Sequence, residues 1–270
     1  MNLSLPEGLP AEFAESLARA APGLGSFAKE VIWYPSVSST SDAAAVLAER
    51  GAAEGLVVAA NAQTAGRGRF GRGWASPAAA GLYVSVVLRP EAAVVPMLTI
   101  AAGVAVAEGI QEATGLRCSL KWPNDVHVGT RKVAGILAEA STTTADVSGI
   151  RYVVLGFGIN VMPANYPPDV AVRATSLEDE LGREVDRALV LAECLLALSR
   201  RYADLGQGRS ADVIAQWRTR AATMLGRRVR LEGAGTQLEG IAENIDETGA
   251  LVVQTALGVL RVTSGEVQWV

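Results

Sequence analysis

Apolar residues recur along the chain at two spacings, one typical of helices and one typical of strands. Helical spacing and capping residues predict helices over 9–21, 43–50, 97–114, 176–181, 186–205 and 212–219. Alternation and short apolar runs predict strands over 31–34, 56–60, 82–89, 116–121, 132–139 and 152–155. Because these helices and strands do not alternate regularly, the pattern favours an α+β domain around a mixed sheet over a doubly wound fold.

The stretch 227–270 has a different pattern. Short alternating runs are separated there by turns that contain glycine, such as Glu247-Thr248-Gly249. This pattern indicates a small β-barrel, close to the lower size limit of a domain. We therefore predict two domains, a large one over 1–222 and a small one over 223–270.

Composition indicates a folded protein. Half of the 270 residues are hydrophobic and the formal net charge is only −4, which argues against disorder. No apolar run reaches the ~18 residues of a membrane span. Glu7 and Glu12 stand where a secretory signal would carry positive charge. We expect a cytoplasmic protein that has no membrane partner.

The residues that usually bind metals are scarce. The chain has one histidine, His127, and two cysteines, Cys118 and Cys194. This excludes a metal centre with two or three histidines, a cysteine-rich zinc site and a disulfide framework.

Lysine is also rare, since only Lys29, Lys121 and Lys132 stand among 24 cationic residues. Genomic base composition explains most of this bias. However, two of the three lysines lie within one 12-residue stretch. A lysine that persists where arginine is otherwise used indicates a need for a compact, rotatable ammonium.

The stretch 63–81 is rich in glycine and is predicted to be a loop. It contains a literal GxGxxG from Gly66 to Gly71. A dinucleotide-binding motif needs a helix directly after its glycines, whereas here Trp74 and Pro77 follow and then a strand. The chain also lacks the Gly-Lys-Ser/Thr of a P-loop.

Three arginines in six positions, Arg67, Arg69 and Arg72, make the same loop locally basic. Backbone N–H groups of glycines and guanidinium groups both bind anions, and Phe70 and Trp74 offer apolar cover for a ligand. A grip on single-stranded nucleic acid is the alternative, but it predicts a basic domain, and the sequence pI is about 5.2.

The segment Lys121-Trp122-Pro123-Asn124-Asp125 ends a predicted strand with a turn, and Lys132 begins the next strand. A hairpin would bring Asp125 and Lys132 together, either as a surface ion pair or as part of a site. Cys118, Asp125 and His127 also suggest a thiol protease. We expect Cys118 to point inward on an apolar strand, where a small buried cysteine is inert.

With these motifs in hand, the chain resembles bacterial biotin protein ligases along nearly its full length. The motifs that carry the resemblance are Ser38-Ser39-Thr40, Gln63 with Ala65-Gly66-Arg67-Gly68-Arg69, Gly71-Arg72-Gly73-Trp74, Lys121-Trp122-Pro123-Asn124-Asp125, Lys132-Val133-Ala134-Gly135-Ile136-Leu137 and Gly156-Phe157-Gly158-Ile159-Asn160. The resemblance implies a catalytic domain related to class II aminoacyl-tRNA synthetases and an SH3-like C-terminal domain. Ser41 stands where the family has asparagine. Only about 30 residues precede the first strand, fewer than the ~50 of a domain, so we expect the monofunctional type without a winged helix for operator DNA.

The resemblance implies that biotin and ATP form biotinyl-5′-AMP and pyrophosphate, and that a lysine of a biotin carboxyl carrier protein then attacks the acyl group. Mg²⁺ would arrive with ATP, without a metal site of the protein's own. The chain would bind no nucleic acid and no membrane, and a homodimer is left open. Alternatives are a lipoate or octanoate transferase and a ligand-sensing regulator without catalysis.

The resemblance also implies roles for individual residues. The implied catalytic residues are Lys132, Arg69 and Asp125. Lys132 would neutralise the reacting carboxylate and α-phosphate, Arg69 would lie in the loop that closes over the ligand, and Asp125 would orient or deprotonate the incoming lysine. The implied biotin-binding residues are Ser39, Thr40, Ser41, Gln63, Gly66, Arg67, Gly68, Arg69, Lys132, Gly135 and Gly158. The implied ATP-binding or adenylate-binding residues are Arg69, Arg72, Trp74, Lys121, Asn124, Asp125, Lys132 and Asn160.

Overall fold

A computed structural model describes residues 5–142, 149–164, 166, 168–233 and 236–270. Within these ranges the helices are α1 Ala11–Leu24, α2 Thr40–Glu49, α3 Leu98–Thr114, α4 Pro168–Ala171, α5 Leu177–Leu181, α6 Arg187–Gly206 and α7 Ser210–Ala221. The strands are β1 Val31–Tyr34, β2 Val57–Ala60, β3 Gly81–Leu88, β4 Ser119–Lys121, β5 Asp125–Val128, β6 Arg131–Thr142, β7 Ile150–Asn160, β8 Arg228–Gly233, β9 Thr236–Ile245, β10 Leu251–Thr255, β11 Gly258–Val262 and β12 Glu266–Trp269.

The N-terminal part contains a mixed seven-stranded sheet with the order β1-β2-β3-β7-β6-β5-β4. Strands β1 and β2 are parallel, and the other pairings are antiparallel. The prediction of an α+β domain rather than a doubly wound fold is therefore confirmed.

Helices cover both faces of this sheet. Leu82, Val84, Val86 and Leu88 of β3 share the large core beneath α1, α3 and α6, as their alternation predicts. Their neighbour Val87 belongs to a smaller core on the other face, beneath α2. All eight positions of β3 are buried as a result. The alternation identified one buried face, and the structure buries the second as well.

Several element boundaries differ from the prediction. Strand β5, Asp125–Val128, was not predicted, because four residues between two turns carry little periodic signal. Strand β4 begins at Ser119 instead of residue 116. Strand β7 continues to Asn160, so Gly156 and Gly158 lie inside a central strand rather than after it.

The C-terminal part forms a five-stranded antiparallel sheet with the order β11-β10-β9-β8-β12. Val229, Leu251 and Val253 from this sheet are fully buried. The predicted change to short antiparallel strands after residue 226 is confirmed.

The helical segment Ala92–Thr114 is, by length and composition, long and apolar enough to cross a membrane. Its most apolar window has a mean hydropathy of 1.9. The apolar stretch is therefore longer than the uninterrupted apolar runs of the sequence indicate. However, 67% of this window is buried inside the protein, where α3 packs against α6. It therefore serves as the core helix of the large domain.

Candidate active site

The glycine-arginine loop forms a short hairpin over the sheet, which we call the 66–74 hairpin. The Trp74 N–H donates to the Gly66 carbonyl at 2.8 Å, and the Gly68 N–H donates to the Arg72 carbonyl at 2.7 Å. At the tip, a 3₁₀ turn places Phe70 at φ +57° with 59% of its surface exposed. The predicted loop is therefore an ordered hairpin with an aromatic residue at its tip.

Two glycines of the sheet make room for the indole ring of Trp74. Gly135 on β6 and Gly158 on β7 are paired across the strands. A Cβ on Gly158 would lie 2.4 Å from Trp74 Nε1, and a Cβ on Gly135 would lie 3.0 Å from the same ring. Because either contact would push the indole away, only glycine at both positions allows Trp74 to lie on the strands.

Arg67 ties the 66–74 hairpin to its surroundings. Its Nη2 atom lies 2.9 Å from Asp42 Oδ1 on α2 and 2.6 Å from Glu139 Oε2 on β6. The Arg67 side chain is thereby occupied by two carboxylates, one on α2 and one on β6. Asp42 and Glu139 carried no signal in the sequence, because their pairing with Arg67 is long-range.

The beginning of α2 and Gln63 form one hydrogen-bonded group. The backbone N–H and the hydroxyl of Thr40 donate to Gln63 Oε1 at 2.8 and 3.1 Å. The Gln63 amide Nε2 donates to the Ser76 hydroxyl at 2.8 Å, at the base of the hairpin. This group couples the N-terminus of α2 to the base of the hairpin.

Ser85 is a site residue that the sequence analysis missed. Its hydroxyl lies 2.9 Å from that of Thr40 and 3.1 Å from that of Ser41, in the middle of β3. The one available signal was a serine within the apolar run Leu-Tyr-Val-Ser-Val-Val-Leu. The hydroxyl of Ser39 is buried and has no hydrogen-bond partner among the described residues. A buried donor without a partner is costly, so this hydroxyl fits a polar ligand group.

Lys132 and Asp125 form the ionic centre of the site. Lys132 Nζ lies 2.5 Å from Asp125 Oδ1 and 5.2 Å from the centre of the Trp74 ring. His127 Nε2 lies 3.9 Å from the other carboxylate oxygen. Burial would raise the pKa of Asp125, but His127 and Lys132 outweigh burial and lower that pKa to about 2. The predicted approach of Asp125 and Lys132 is confirmed, and Asp125 is a carboxylate at neutral pH.

Lys121 lies opposite Asp125 in the β4–β5 pairing. Burial lowers the pKa of Lys121, Asp125 raises it, and the positive charges of Lys132, Arg173 and Arg227 lower it further. The positive charges of Lys132, Arg173 and Arg227 therefore act on Lys121, which makes this part of the site locally positive in a chain of net charge −4. Neither Arg173 nor Arg227 lies in one of the motifs that indicated the site.

The two asparagines of the motifs hold backbone segments beside this centre. Asn124 Nδ2 donates to the Ile136 carbonyl at 2.8 Å, and the Ile136 N–H donates to the Asn124 carbonyl at 2.9 Å. Asn160 Nδ2 donates to the Thr175 carbonyl at 3.0 Å, and the Thr175 N–H donates to the Lys132 carbonyl. Both amide groups thus support the strand that carries Lys132 and Gly135.

Arg69 and Arg72 lie at the tip of the hairpin, where their guanidinium groups are 4.9 and 5.9 Å from the centre of the Phe70 ring. Arg69 also lines a cavity of about 170 Å³ between the two domains. The other lining residues are Pro96, Thr99, Ile100, Pro123, Ile136, Leu137, Ala138 and Thr263. A cavity of about 290 Å³ near Phe13 and Glu184 contains none of the predicted site residues.

Comparison with known proteins identifies the family. Residues 33–160 match the biotin/lipoate A/B protein ligase family, and residues 224–269 match the biotin protein ligase C-terminal domain. The chain is 34% identical over 263 residues to the bifunctional ligase/repressor BirA of Bacillus subtilis, covering 96% of this chain and 80% of the relative. It is 37% identical over 239 residues to the biotin–[acetyl-CoA-carboxylase] ligase of Mycobacterium tuberculosis, covering 85% of each. The chain belongs to the biotin protein ligase family.

Solved structures agree with this assignment. The Aquifex aeolicus biotin protein ligase in complex with biotin and ATP matches this ligase with a TM-score of 0.77 at 31% identity, covering 90% of this chain and 99% of that one. The Leishmania major biotin protein ligase in complex with biotinyl-5-AMP matches with a TM-score of 0.60 at 25% identity, covering 87% and 99%. The resemblance drawn from the motifs is therefore confirmed.

The thiol-protease alternative fails in this ligase. Cys118 is 8% exposed, and burial raises the pKa of its thiol to about 12. The residue that pairs with His127 across the strands is Ser119, not Cys118. A protonated, buried thiol is no nucleophile, as the inward orientation of Cys118 predicts.

Proposed function

We propose that this chain joins biotin to ATP as biotinyl-5′-AMP and then transfers the biotinyl group to one lysine of a biotin carboxyl carrier protein. The observation that carries the proposal is the Lys132–Asp125 pair, which lies beside Gly135 and the Trp74 indole. A single ammonium there can neutralise a carboxylate and a phosphate that approach each other, which is electrostatic catalysis by positioned charge.

In the first step, a biotin carboxylate oxygen attacks the α-phosphorus of ATP. A new P–O bond forms, the bond between the α-phosphorus and its bridging oxygen breaks, and pyrophosphate leaves. Lys132 stabilises the charge on the reacting oxygens. Arg69 and Arg72 bind the phosphates, and the positive field around Lys121 assists the departure of pyrophosphate. Mg²⁺ arrives with ATP as part of the substrate.

In the second step, the carrier amine attacks the acyl carbon, an amide bond forms, and AMP leaves while the amine loses a proton. The low pKa of Asp125 makes its carboxylate a weak base toward an ammonium group. Asp125 therefore attracts and orients the incoming lysine and holds Lys132 in place. Closure of the 66–74 hairpin keeps water from the reactive mixed anhydride.

Biotin lies between the sheet and the beginning of α2. Ser39, Thr40, Ser41 and Gln63 face the ureido group, with backbone of the hairpin opposite. The buried Ser39 hydroxyl without a partner supports this placement. The remaining biotin contacts are Gly66, Arg67, Gly68, Gly135 and Gly158. The adenylate side uses Trp74, Asn124 and Asn160.

We also propose that the domain boundary lies at 222/223, since α7 ends at Ala221 and β8 begins at Arg228. The arginines of the hairpin contact Asp42, Glu139 and Phe70, which supports a ligand site rather than a nucleic-acid grip. We further propose that the protein acts in the cytoplasm and does not bind operator DNA. A homodimer is tested by light scattering.

The test is the intact mass of a purified carrier domain after incubation with this chain, biotin and MgATP. We expect one biotinyl group on one lysine, and no modification when lipoate or octanoate replaces biotin. Equal modification by lipoate or octanoate would assign the chain to the other acyl transferases of this fold. Biotin-dependent ligand binding without any carrier modification would favour a sensing protein.

A further inference from the structure

One buried hydrogen bond joins the 121–125 turn of the large domain to the C-terminal domain. The indole N–H of Trp122 donates to the Gly249 carbonyl at 2.9 Å, between residues 127 positions apart in sequence. Trp122 is 3% exposed. Because both groups are shielded from water, neither finds an alternative partner if the bond is lost.

The turn that presents Gly249 is rigidly built. Asp246 Oδ1 accepts from the Thr248 N–H at 2.8 Å, the Thr248 hydroxyl at 2.7 Å and the Ala250 N–H at 3.2 Å. Arg261 Nε donates to the second carboxylate oxygen of Asp246 at 2.5 Å. The position of the Gly249 carbonyl is therefore fixed from within the C-terminal domain.

Gly249 is also pressed against the large domain. Its φ is +79°, and a Cβ there would lie 3.0 Å from Ile100 Cγ1 and from Met97 Sδ, at the beginning of α3. The close approach of this backbone to α3 leaves no room for a side chain. The Gly249 carbonyl consequently acts as a fixed point for Trp122.

On the other side of Trp122, the turn leads directly to the ionic centre. Asn124 exchanges two hydrogen bonds with Ile136, next to Gly135, and Asp125 pairs with Lys132. Pro123 and Thr263, one from each domain, line the same cavity of about 170 Å³ as Arg69. A shift of Trp122 would therefore displace groups assigned above to the nucleotide.

We propose that Trp122 is a positioning residue, through which the C-terminal domain sets the geometry of the 121–125 turn for the reaction with ATP. Biotin lies against Thr40 and Gln63, which have their own hydrogen bonds and do not depend on this turn. Loss of this bond should therefore impair the reaction with MgATP far more than the binding of biotin. This inference rests on the proposed function, which assigns the turn to ATP.

The test is Trp122→Phe, which removes the donor and keeps an aromatic ring. Biotin-dependent ATP–pyrophosphate exchange should show kcat/KM for MgATP reduced about tenfold or more. The Kd of biotin, measured by calorimetry without ATP, should stay within about twofold of wild type. If Trp122 had only a structural role, Trp122→Phe would lower Tm without affecting kcat/KM for MgATP more than the Kd of biotin.

Arg218→Ala is the matched control. Arg218 Nε donates to Asn244 Oδ1 at 2.7 Å. This second contact between the domains does not involve the 121–125 turn. We expect this variant to lower Tm while kcat/KM for MgATP stays within about twofold of wild type. The same ATP-specific loss in Arg218→Ala would overturn the inference, because any loosening of the domains would then suffice.

Asp246→Ala approaches the same bond from the other domain and serves if Trp122→Phe does not fold. It should reduce kcat/KM for MgATP in the same way, and the double variant should lose no more than the larger single loss. Normal kcat/KM in a folded Trp122→Phe or Asp246→Ala variant would contradict the inference. Wild-type protein without biotin-dependent exchange would instead contradict the proposed function.

Discussion

Replacing Lys132 by arginine keeps the positive charge but changes its shape, and the structure leaves little space for the change. Lys132 Nζ lies 2.5 Å from Asp125 Oδ1 and 5.2 Å from the centre of the Trp74 ring. A Cβ on Gly135 would lie 3.0 Å from the same nitrogen. A guanidinium group is longer and planar, so it cannot place a compact charge at this point.

The size of the effect follows from the role assigned to Lys132. A fixed charge or donor that acts on developing negative charge contributes about 3–4 kcal/mol, or about 10²–10³-fold in rate. We expect Lys132→Arg to lose this much in the rate of biotin-dependent pyrophosphate release. The loss should lie in kcat, because an arginine in this space cannot place its charge where Lys132 Nζ lies.

The assay is pyrophosphate release at saturating biotin and MgATP, with Lys29→Arg as the control. Lys29 is exposed and lies outside the site, so its variant should match wild type. Pyrophosphate release by Lys132→Arg within about threefold of the wild-type rate would refute the argument for a compact point charge.

Three further substitutions test other parts of the site. Gly158→Ala should displace the Trp74 ring, because the new Cβ would lie 2.4 Å from Nε1, and calorimetry should show biotin affinity reduced about tenfold or more. Gly103→Ala, whose nearest contact is 3.7 Å, should bind biotin normally. Normal binding by both variants would contradict the role of Gly158 in seating Trp74. Arg69→Gly should release biotinyl-5′-AMP before transfer, so a streptavidin blot of a lysine-rich bystander protein should become positive. A bystander protein without biotin, together with full labelling of the carrier, would refute the closure of the 66–74 hairpin over the intermediate. Since the folded-state pKa of Asp125 is lowered to about 2, its contribution to stability is present at neutral pH and is lost as pH falls from about 5 toward 2. The Tm of Asp125→Asn should therefore fall less steeply over that range than the Tm of wild type. Parallel curves of Tm against pH would argue against the ion pair.

Local sequence signals were sufficient for most elements of the fold. Helix α6 shows why: Asp186 accepts hydrogen bonds from the N–H groups of Ala188 and Leu189, so the N-cap residue visible in the sequence does begin the helix. Strand β3 was recognised from its alternation. Strand β5 was missed because its four residues are held by two neighbouring strands rather than by a pattern of their own.

The site was only partly accessible from the sequence, since its geometry depends on long-range contacts. The lysine bias and the spacing of the motifs pointed to Lys132 and Asp125, which do meet. Nothing local indicates that Glu139 holds Arg67, or that Gly249 accepts from Trp122. Ser85 was hidden within a strand that is otherwise apolar.

The proposed reaction has two steps and a retained intermediate, and one chase experiment tests this most directly. The chain is incubated with labelled biotin and MgATP without carrier, freed of both by rapid gel filtration, and mixed with a purified carrier domain in the absence of ATP. We predict that biotinyl-5′-AMP stays with the protein and that its label passes to one carrier lysine with release of AMP. Transfer that requires fresh ATP, or label that does not stay with the protein, would contradict a two-step reaction with a retained intermediate.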